Sequence, residues 1–220
     1  MRIILAMLTG AVILSGVASA QTSASPAAQN EPKRGYAEGV FQSAFGNVTS
    51  QSFGGEVGAT VLEGIQIFVD AGHVRDTAPS SLGSGAQAMA GFVSQTNSGV
   101  SFRAKQPVSF GIAGVRYVIP TSSQFEPYVM VGGGIARVTK DVSFTVAGTD
   151  VTNSLTQYGV VLGSDLAGTE TKGMASVGLG VAWPVLQRFV VDLQYRYGRV
   201  LTSGKGLNLS RAGIGLGVRF

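Results

Sequence analysis

The last ten residues of the chain show the clearest alternation of apolar and polar positions in the sequence. Their apolar face is formed by Ala212, Ile214, Leu216, Val218 and Phe220. The other face holds three glycines, with Arg211 and Arg219 near its two ends. Strict alternation over this length predicts a β-strand whose two faces lie in different environments. A strand with lipid on one side and a crowded polar lumen on the other crosses a bilayer in about 9–11 residues.

Seven earlier segments carry a related alternation, so the sequence predicts eight strands in total. The seven are residues 35–45, 52–61, 65–72, 108–119, 128–138, 173–183 and 188–201. Their faces separate cleanly except in the fourth and fifth segments. In those two, the outward positions are predicted to be Ala113, Val115, Tyr117, Ile119, Val129, Val131 and Ile135.

The connections between the predicted strands alternate in length. Those after the second, fourth and sixth strands are short, and those after the first and seventh are modest. Those after the third and fifth are long, at about residues 73–106 and 139–171. Outer-membrane barrels have short periplasmic turns and longer extracellular loops. The sequence therefore predicts an all-β, eight-stranded antiparallel transmembrane β-barrel with both termini periplasmic.

Both long loops carry some signal of further structure. Residues 86–94 form a weak helix candidate, because glycines interrupt the segment and lower its helix propensity. Apolar patches within residues 139–171 are expected to extend the fifth and sixth strands above the membrane.

The composition agrees with a barrel and excludes several kinds of site. Only 13% of the 220 residues are charged and 32 are glycine, yet no segment after the N-terminus is long enough for a transmembrane helix. The absence of cysteine excludes disulfides and thiol chemistry. With a single histidine as well, no metal site and no cofactor are expected. The net charge of +4 includes no lysine or arginine run that would indicate nucleic-acid binding.

The N-terminus has the pattern of a processing signal. A positive start, the apolar segment Ile3–Val17 and the small residues Ala18-Ser19-Ala20 predict a secretory signal peptide over residues 1–20. An uncleaved anchor is the alternative. Residues 21–34 are rich in Ser, Ala, Gln and Pro and are predicted to be a disordered periplasmic linker. The barrel is assigned to residues 35–220.

The predicted inward positions bring together four acids and four arginines. They are Glu38, Glu56, Asp70 and Asp192, with Arg116, Arg196, Arg211 and Arg219. An eight-stranded barrel is just wide enough for side chains to fill. Buried charges have to be paired, and inward glycines are expected to make room for the arginines. We therefore predict a lumen closed by ion pairs, with a narrow gated channel as the alternative.

Aromatic and histidine positions bear on the membrane boundary and on catalysis. Tyr117, Trp183, Tyr195 and Tyr197 fall near strand ends on the outward face, as in an aromatic girdle. The single histidine, His73, has no serine two residues away on the same face, although Ser101 or Ser109 could approach it from elsewhere in the barrel. No catalytic residue is assigned, and the chain is not expected to be an enzyme.

These features together resemble the small outer-membrane β-barrel family, the group related to the OmpA transmembrane domain and OmpX. The resemblance covers residues 35–220 and is carried by the alternating strands, the inward Asp192-x-Gln194-x-Arg196 and the terminal Gly-x-Gly-x-Arg-Phe. It implies that the last strand is read by the barrel-assembly machinery, the signal being Ile214, Leu216, Val218 and Phe220. The implied location is the bacterial outer membrane.

The resemblance implies several roles without choosing among them. The leading interpretation is an envelope structural or surface-interaction protein that acts through its extracellular loops. A small-pore transport protein is the alternative, and a soluble secreted ligand-binding barrel is a remoter one. The expected partners are outer-membrane lipid and lipopolysaccharide, the assembly machinery and an extracellular ligand of the loops.

Overall fold

The computed structural model describes residues 35–185, 188–201 and 206–220. The predicted signal peptide and linker lie outside the described residues, as do parts of the turns before the last two strands. Ten strands and one α-helix are present in the described part of the chain. They are β1 (Gly35–Phe45), β2 (Ser50–Leu62), β3 (Ile65–Val74), α1 (Ser80–Val93), β4 (Val100–Lys105), β5 (Val108–Val118), β6 (Glu126–Val146), β7 (Thr149–Asp150), β8 (Gly168–Pro184), β9 (Phe189–Val200) and β10 (Leu207–Arg219).

Eight of these strands close into a ring of antiparallel pairs. The order around the ring is β1-β2-β3-β5-β6-β8-β9-β10, and β10 pairs again with β1. The backbone N–H of Gly35 donates to the carbonyl of Phe220 at 2.8 Å, and the N–H of Phe220 donates to the carbonyl of Gly35 at 2.9 Å. The predicted eight-stranded antiparallel barrel is therefore confirmed. Gly35, which begins β1, and Phe220, which follows β10, lie at the end of the barrel that carries the short connections after β2, β5 and β8.

The outward face of the barrel is apolar on every strand. Each strand contributes a large apolar side chain that is between 42% and 64% exposed: Phe41, Val57, Val69, Val115, Val131, Leu179, Leu193 and Leu216. The predicted facing of all eight strands is confirmed, including the fourth and fifth. An exposed apolar surface of this extent is not typical of a monomeric soluble protein.

The first long loop differs from its prediction. α1 begins at Ser80, six residues before the helix candidate, and is 14 residues long. Leu82, Ala86, Ala90 and Val93 recur on one face and are buried. Because this burial outweighs the low helix propensity of the glycines, the helix forms where local propensity alone is weak.

The second long loop agrees with its prediction. β6 and β8 run on from the barrel into this loop, β6 as far as Val146 and β8 from Gly168. The short strands β4 and β7, which the sequence did not reveal, pair with the distal part of β6. A two-residue turn at Ala147-Gly148, with positive φ at both residues, joins β6 to β7.

The elements above the barrel pack around an apolar core of their own, and we call this unit the loop-end cap. It comprises α1, β4, residues 139–146 of β6, β7 and the 3₁₀ segment Thr152–Tyr158. Its core consists of Ala78, Leu82, Ala86, Ala90, Val93, Val142, Phe144, Val151, Leu155, Val160 and Leu166. None of the helices in the described ranges is long and apolar enough to cross a membrane.

The two ends of the first loop are tied together where the barrel meets the cap. Asp76 Oδ1 accepts hydrogen bonds of 2.9 Å from the backbone N–H of both Ala78 and Gln106. Thr77 donates its N–H and its hydroxyl to the carbonyl of Gln106, at 2.9 and 2.7 Å. Within the cap, hydrogen bonds from Thr152 hold the pKa of the exposed Asp150 carboxyl below its usual range.

Candidate functional site

Three acids lie side by side on the inner wall of the barrel. Glu38 on β1 is the cross-strand partner of Glu56 on β2, which is in turn the partner of Asp70 on β3. All three side chains are buried. Like charges directly opposite each other on a sheet are destabilising, so this row requires cations from elsewhere. The cations come from β5, β9 and β10, which carry Arg116, Arg196 and Arg211.

Arg116 is held between two tyrosine rings and three carboxylates. Its Nη2 lies 2.6 Å from Glu56 Oε1, 3.3 Å from Glu38 Oε1 and 3.7 Å from Asp192 Oδ2. Its guanidinium carbon lies 4.7 Å from the centre of the Tyr36 ring and 4.0 Å from that of Tyr128. Both rings are within cation–π distance of the guanidinium, and all three carboxylates are within ion-pair distance of its Nη2.

The two tyrosines also join the polar network through their hydroxyl groups. Tyr36 donates to Glu56 Oε1 and Tyr128 donates to Asp192 Oδ2, both at 2.6 Å. Sequence reasoning did not include these tyrosines in the lumen. The signal was available, because Tyr36 shares the inward parity of Glu38, and Tyr128 alternates with the outward Val129.

Arg196 and Arg211 continue the network toward the cap. Arg196 Nη1 donates to Asp70 Oδ2 at 2.7 Å. Its Nη2 lies 2.7 Å from Glu56 Oε2, in an ion pair whose angles are not those of a hydrogen bond. Arg211 is 3.9 Å from Asp70 Oδ2 and lies over the ring of Phe110, 4.1 Å from its centre. Glu56 and Asp70 thus each form ion pairs with two arginines.

The interior network leaves several buried polar atoms without a hydrogen-bond partner among the described residues. They are Glu38 Oε2, Glu56 Oε2, Arg116 Nε, Asp192 Oδ1, Arg196 Nε and Nη2, and Arg211 Nε and Nη2. Gln194 contributes weakly, donating to Asp192 Oδ2 at 3.5 Å and accepting from Gln42 at 3.4 Å. The charges are therefore paired, while their hydrogen-bonding capacity is only partly used.

Several inward glycines adjoin aromatic rings of the lumen. A Cβ added at Gly58 would overlap the ring of Tyr36, and one at Gly180 would overlap Tyr128. At Gly114 the nearest side chain is Phe68. Gly215, in contrast, adjoins Gln194, Glu38 and Asp192 of the charge network. The expectation that inward glycines make room for the arginines stays a prediction.

Arg219 lies apart from the other predicted lumen charges, at the end of the barrel that carries the short turns. It pairs with Glu126, with Nη1 2.8 Å from Oε1 and Nη2 2.5 Å from Oε2. Both side chains are partly exposed. Glu126 was missed because it precedes the predicted start of the fifth strand, whereas β6 begins at Glu126 itself.

The residues of the predicted assembly signal and girdle lie on the outward face. Ile214, Leu216, Val218 and Phe220 are all exposed. Tyr117 and Trp183 lie near the short-turn end, and Tyr195 and Tyr197 lie higher on β9. The hydroxyls of the latter two donate to Ser210 and Asn208, at 3.3 and 2.9 Å.

His73 and Ser109 are directly opposite each other on β3 and β5. His73 Nδ1 lies 3.0 Å from Ser109 Oγ, so Ser109 is the one of the two candidate serines that approaches the histidine. Ser101 instead bonds Thr145 within the cap. Among the residues that the structure describes, no carboxylate orients the His73 ring. The described ranges also contain no group of three or more His, Cys, Asp or Glu side chains arranged for a metal.

A cavity of about 570 Å³ lies between the barrel rim and the loop-end cap. Its polar lining includes Asn47, Ser81, Gln106, Lys140, Glu170 and Lys172. Lys172 pairs with Glu170 at 3.3 Å, and Lys140 donates to the carbonyl of Ser164 at 3.1 Å. Polar and charged side chains therefore surround an open cavity at the loop end of the barrel.

Comparison with known proteins gives a likeness in structure only. No protein-family model matches the chain, and no curated protein is significantly similar to it in sequence. A major outer membrane protein from Thermus thermophilus matches with a TM-score of 0.50 and 12% identity, over 84% of this chain and 99% of that one.

Two further solved structures match over similar lengths. Neisserial surface protein A has a TM-score of 0.49 and 17% identity, over 84% of this chain and 94% of that one. The N-terminal β-barrel domain of Pseudomonas aeruginosa OprF has a TM-score of 0.47 and 16% identity, over 86% and 98%. Sequence identities this low are no evidence of a shared function. The closed ring of eight strands, its apolar outer surface and the likeness to the Thermus protein show that this chain has the fold of the small outer-membrane β-barrel proteins.

Proposed function

We propose that the protein is an outer-membrane barrel with a closed lumen, which acts as an envelope structural or surface-interaction protein through its loop-end cap. The observation that carries the proposal is the buried network of Glu38, Glu56, Asp70, Arg116 and Arg196. These side chains cross the lumen from opposite walls and are at most 6% exposed. Opening a passage through them would separate ion pairs in a region of low dielectric, which is costly.

The cap is the surface through which such a protein would meet a partner. It is a packed unit and not a set of loose loops, and it presents exposed apolar side chains at Phe92, Phe102 and Val161. Exposed loops held by a rigid barrel are a common site of recognition. We propose an extracellular ligand for this surface, without an enzymatic role. Outer-membrane lipid and the assembly machinery, the latter through the outward face of β10, are the other proposed partners.

The orientation follows from the lengths of the connections. The cap lies outside the cell in this proposal, and the termini and the short turns lie in the periplasm. Because the chain has no cysteine, single-cysteine variants can test this. Gln87→Cys in α1 should react with an impermeant maleimide on intact cells. Ser122→Cys in a short turn should react only after permeabilisation, and the reverse pattern would contradict the orientation.

A small pore is the second candidate, and two observations favour it. The cavity of about 570 Å³ enters the loop end of the barrel, and several buried atoms of the charge network lack protein partners. Polar atoms of that kind are what a hydrated passage would contact. The difference between the two candidates is therefore whether ions pass the level of Arg116 and Arg196.

Single-channel recording in planar bilayers separates the two. The closed-lumen proposal expects no steady conductance from the native protein. It also expects that Arg196→Ala weakens the barrel, because the acids it pairs would lose a cation. Reproducible conductance of fixed size from the native protein, which increases in Arg196→Ala, would establish the pore instead. Arg103→Ala, on the exposed part of β4 in the cap, is a control that should change neither property.

A further inference from the structure

A row of polar side chains crosses the outward face of the barrel at the edge of the apolar belt. Cross-strand pairing aligns His73 on β3, Ser109 on β5, Arg137 on β6 and Thr171 on β8. Ser109, Arg137 and Thr171 are exposed. Directly opposed residues on one face have Cβ atoms about 4.5–5.5 Å apart, so these side chains form a continuous surface. The row lies outside the lumen and takes no part in its charge network.

The row consists of hydrogen-bond donors and one permanent cation. Arg137 forms no ion pair with a carboxylate of the described chain. The 3.0 Å contact between His73 Nδ1 and Ser109 Oγ ties the serine to the imidazole. When the imidazole nitrogen donates to the serine oxygen, the hydroxyl proton is free to point at an anion beside Arg137.

The surroundings of the row define what kind of anion would fit. One outward position below Arg137 lies Ile135, which is 61% exposed and is flanked by Gly111 and Gly173 on the neighbouring strands. A Cβ at Gly111 would meet nothing within 4 Å, so the surface beside Ile135 is open. One outward position above, the hydroxyls of Thr139 and Thr169 meet at 3.2 Å. An apolar surface therefore lies below the cation and a polar surface lies above it.

We propose that this row binds the phosphorylated headgroup of a lipid in the leaflet next to the loop end of the barrel. Arg137 and Ser109 contact the phosphate, and the acyl chains lie against the belt around Ile135. Phosphate oxygens match a guanidinium and a hydroxyl donor, and neither this row nor the row of Thr139 and Thr169 contains an acid. The proposal rests on the proposed membrane location and names one lipid-facing site on that surface.

A free phosphate shares the headgroup's chemistry but not its position. The row faces the proposed lipid and directly adjoins exposed apolar side chains, so a bound lipid can use both surfaces at once. An inorganic ion would use only the donors, which are solvent-accessible and would hold it weakly. The favoured ligand is therefore a phospholipid or glycolipid with an exposed phosphate, such as the phosphorylated lipid of an outer leaflet.

Native mass spectrometry of the purified protein in uncharged detergent can test this site. The probes are lipid A with its phosphates, the same lipid after dephosphorylation, and inorganic phosphate. We expect the native protein to retain phosphorylated lipid A at least about tenfold better than the dephosphorylated form, because a hydrogen bond to a charged phosphate is stronger than one to a neutral hydroxyl. Arg137→Gln should remove most of that preference. Ser109→Ala should reduce it by a smaller factor.

Arg103→Gln is the matched control, because Arg103 is an exposed arginine on β4, within the cap. It should bind as the native protein does. Equal binding by Arg137→Gln and Arg103→Gln would overturn the site. Displacement of the lipid by millimolar inorganic phosphate would overturn the assignment to lipid in favour of a free anion.

The same samples distinguish failure of this site from failure of the proposed function. Each preparation is also run on an SDS gel without heating and after boiling. A heat-dependent mobility shift together with unchanged lipid binding in Arg137→Gln would overturn only the lipid site. No shift in the native protein would overturn the membrane location as well, and the lipid site with it.

Discussion

The barrel and the loop-end cap differ in what their interiors contain, because only the barrel buries a network of charged side chains. The barrel buries a network of arginines and carboxylates together with apolar side chains such as Val74, Val108 and Leu209. A second set of large apolar side chains, such as Val57 and Leu193, is exposed on its outer surface. The cap buries Leu82, Phe144 and Leu155, as an ordinary water-soluble domain does. The comparison shows that the surrounding solvent decides which face is packed. Lipid accepts the apolar face of the strands, so the polar face must find its partners inside.

The two cores also differ in how their stability should respond to mutation. Removing one charge from a paired interior leaves the opposite charges buried without compensation, an effect that spreads over every residue in the network. Removing an apolar side chain leaves a cavity whose effect is local. Three substitutions and their controls test this difference, from the largest expected effect to the smallest.

Glu56→Gln should have the largest effect on the barrel. Glu56 contacts Arg116, Arg196 and the Tyr36 hydroxyl, so its neutralisation leaves two guanidinium groups short of a partner. We expect a loss of about 3–5 kcal/mol in the free energy of unfolding, measured by urea titration of the protein in lipid vesicles. Glu63→Gln, the same change in an exposed turn, should cost little. Equal stability of the two variants would show that the interior charges do not hold the barrel.

Phe144→Ala should destabilise the cap and leave the barrel intact. The Phe144 side chain is 1% exposed in the cap core, whereas its cross-strand partner Phe102 is 39% exposed. We expect Phe144→Ala to cost about 3–5 kcal/mol of cap stability and to make the cap sensitive to protease. Phe102→Ala is the control and should change proteolysis much less. If Phe144→Ala also abolished the resistance of the barrel to SDS, the two cores would not be independent.

Gly58→Ala should have a smaller effect, produced by steric overlap in the lumen. A methyl group at this inward position would overlap the ring of Tyr36 and displace it from Arg116. Overpacking of this kind costs about 1–3 kcal/mol, to be measured by the same urea titration. Gly55→Ala is the control on the outward face, where the nearest atom to the new Cβ is a backbone oxygen 3.5 Å away. Indistinguishable midpoints would mean that the aromatic rings are not tightly packed.

The fold could be predicted closely from the sequence because period-two alternation is a local property. Whether Leu216 or Asp192 faces outward or inward follows from its odd or even position within its strand. The alternation of long and short connections shows which strand ends lie at the same end of the barrel. The closed ring could be inferred from the even strand number and the apolar outer face. The alternation within a strand depends on residues within a few positions of each other, and the connection lengths and strand number follow from counting the segments that alternate.

The interior contacts could not be predicted in the same way, because they depend on register between strands. The row of Glu38, Glu56 and Asp70 exists only if β1, β2 and β3 pair at one particular offset. The contact between His73 and Ser109 depends on pairing across the whole first loop. α1 was underestimated for a related reason, since its stability comes from the packing of Leu82, Ala86, Ala90 and Val93 in the cap core and not from its helix propensity.

The most direct test of a lipid-exposed closed barrel is the mobility of the carbonate-washed membrane protein on an SDS gel, unheated and boiled. We expect a protein that stays with the outer-membrane fraction and shifts on boiling, because every barrel strand has two paired neighbours and no free edge. A protein that washes off the membrane and runs identically in both lanes would contradict this architecture. The exposed apolar face of the strands would then have to be covered by something other than lipid.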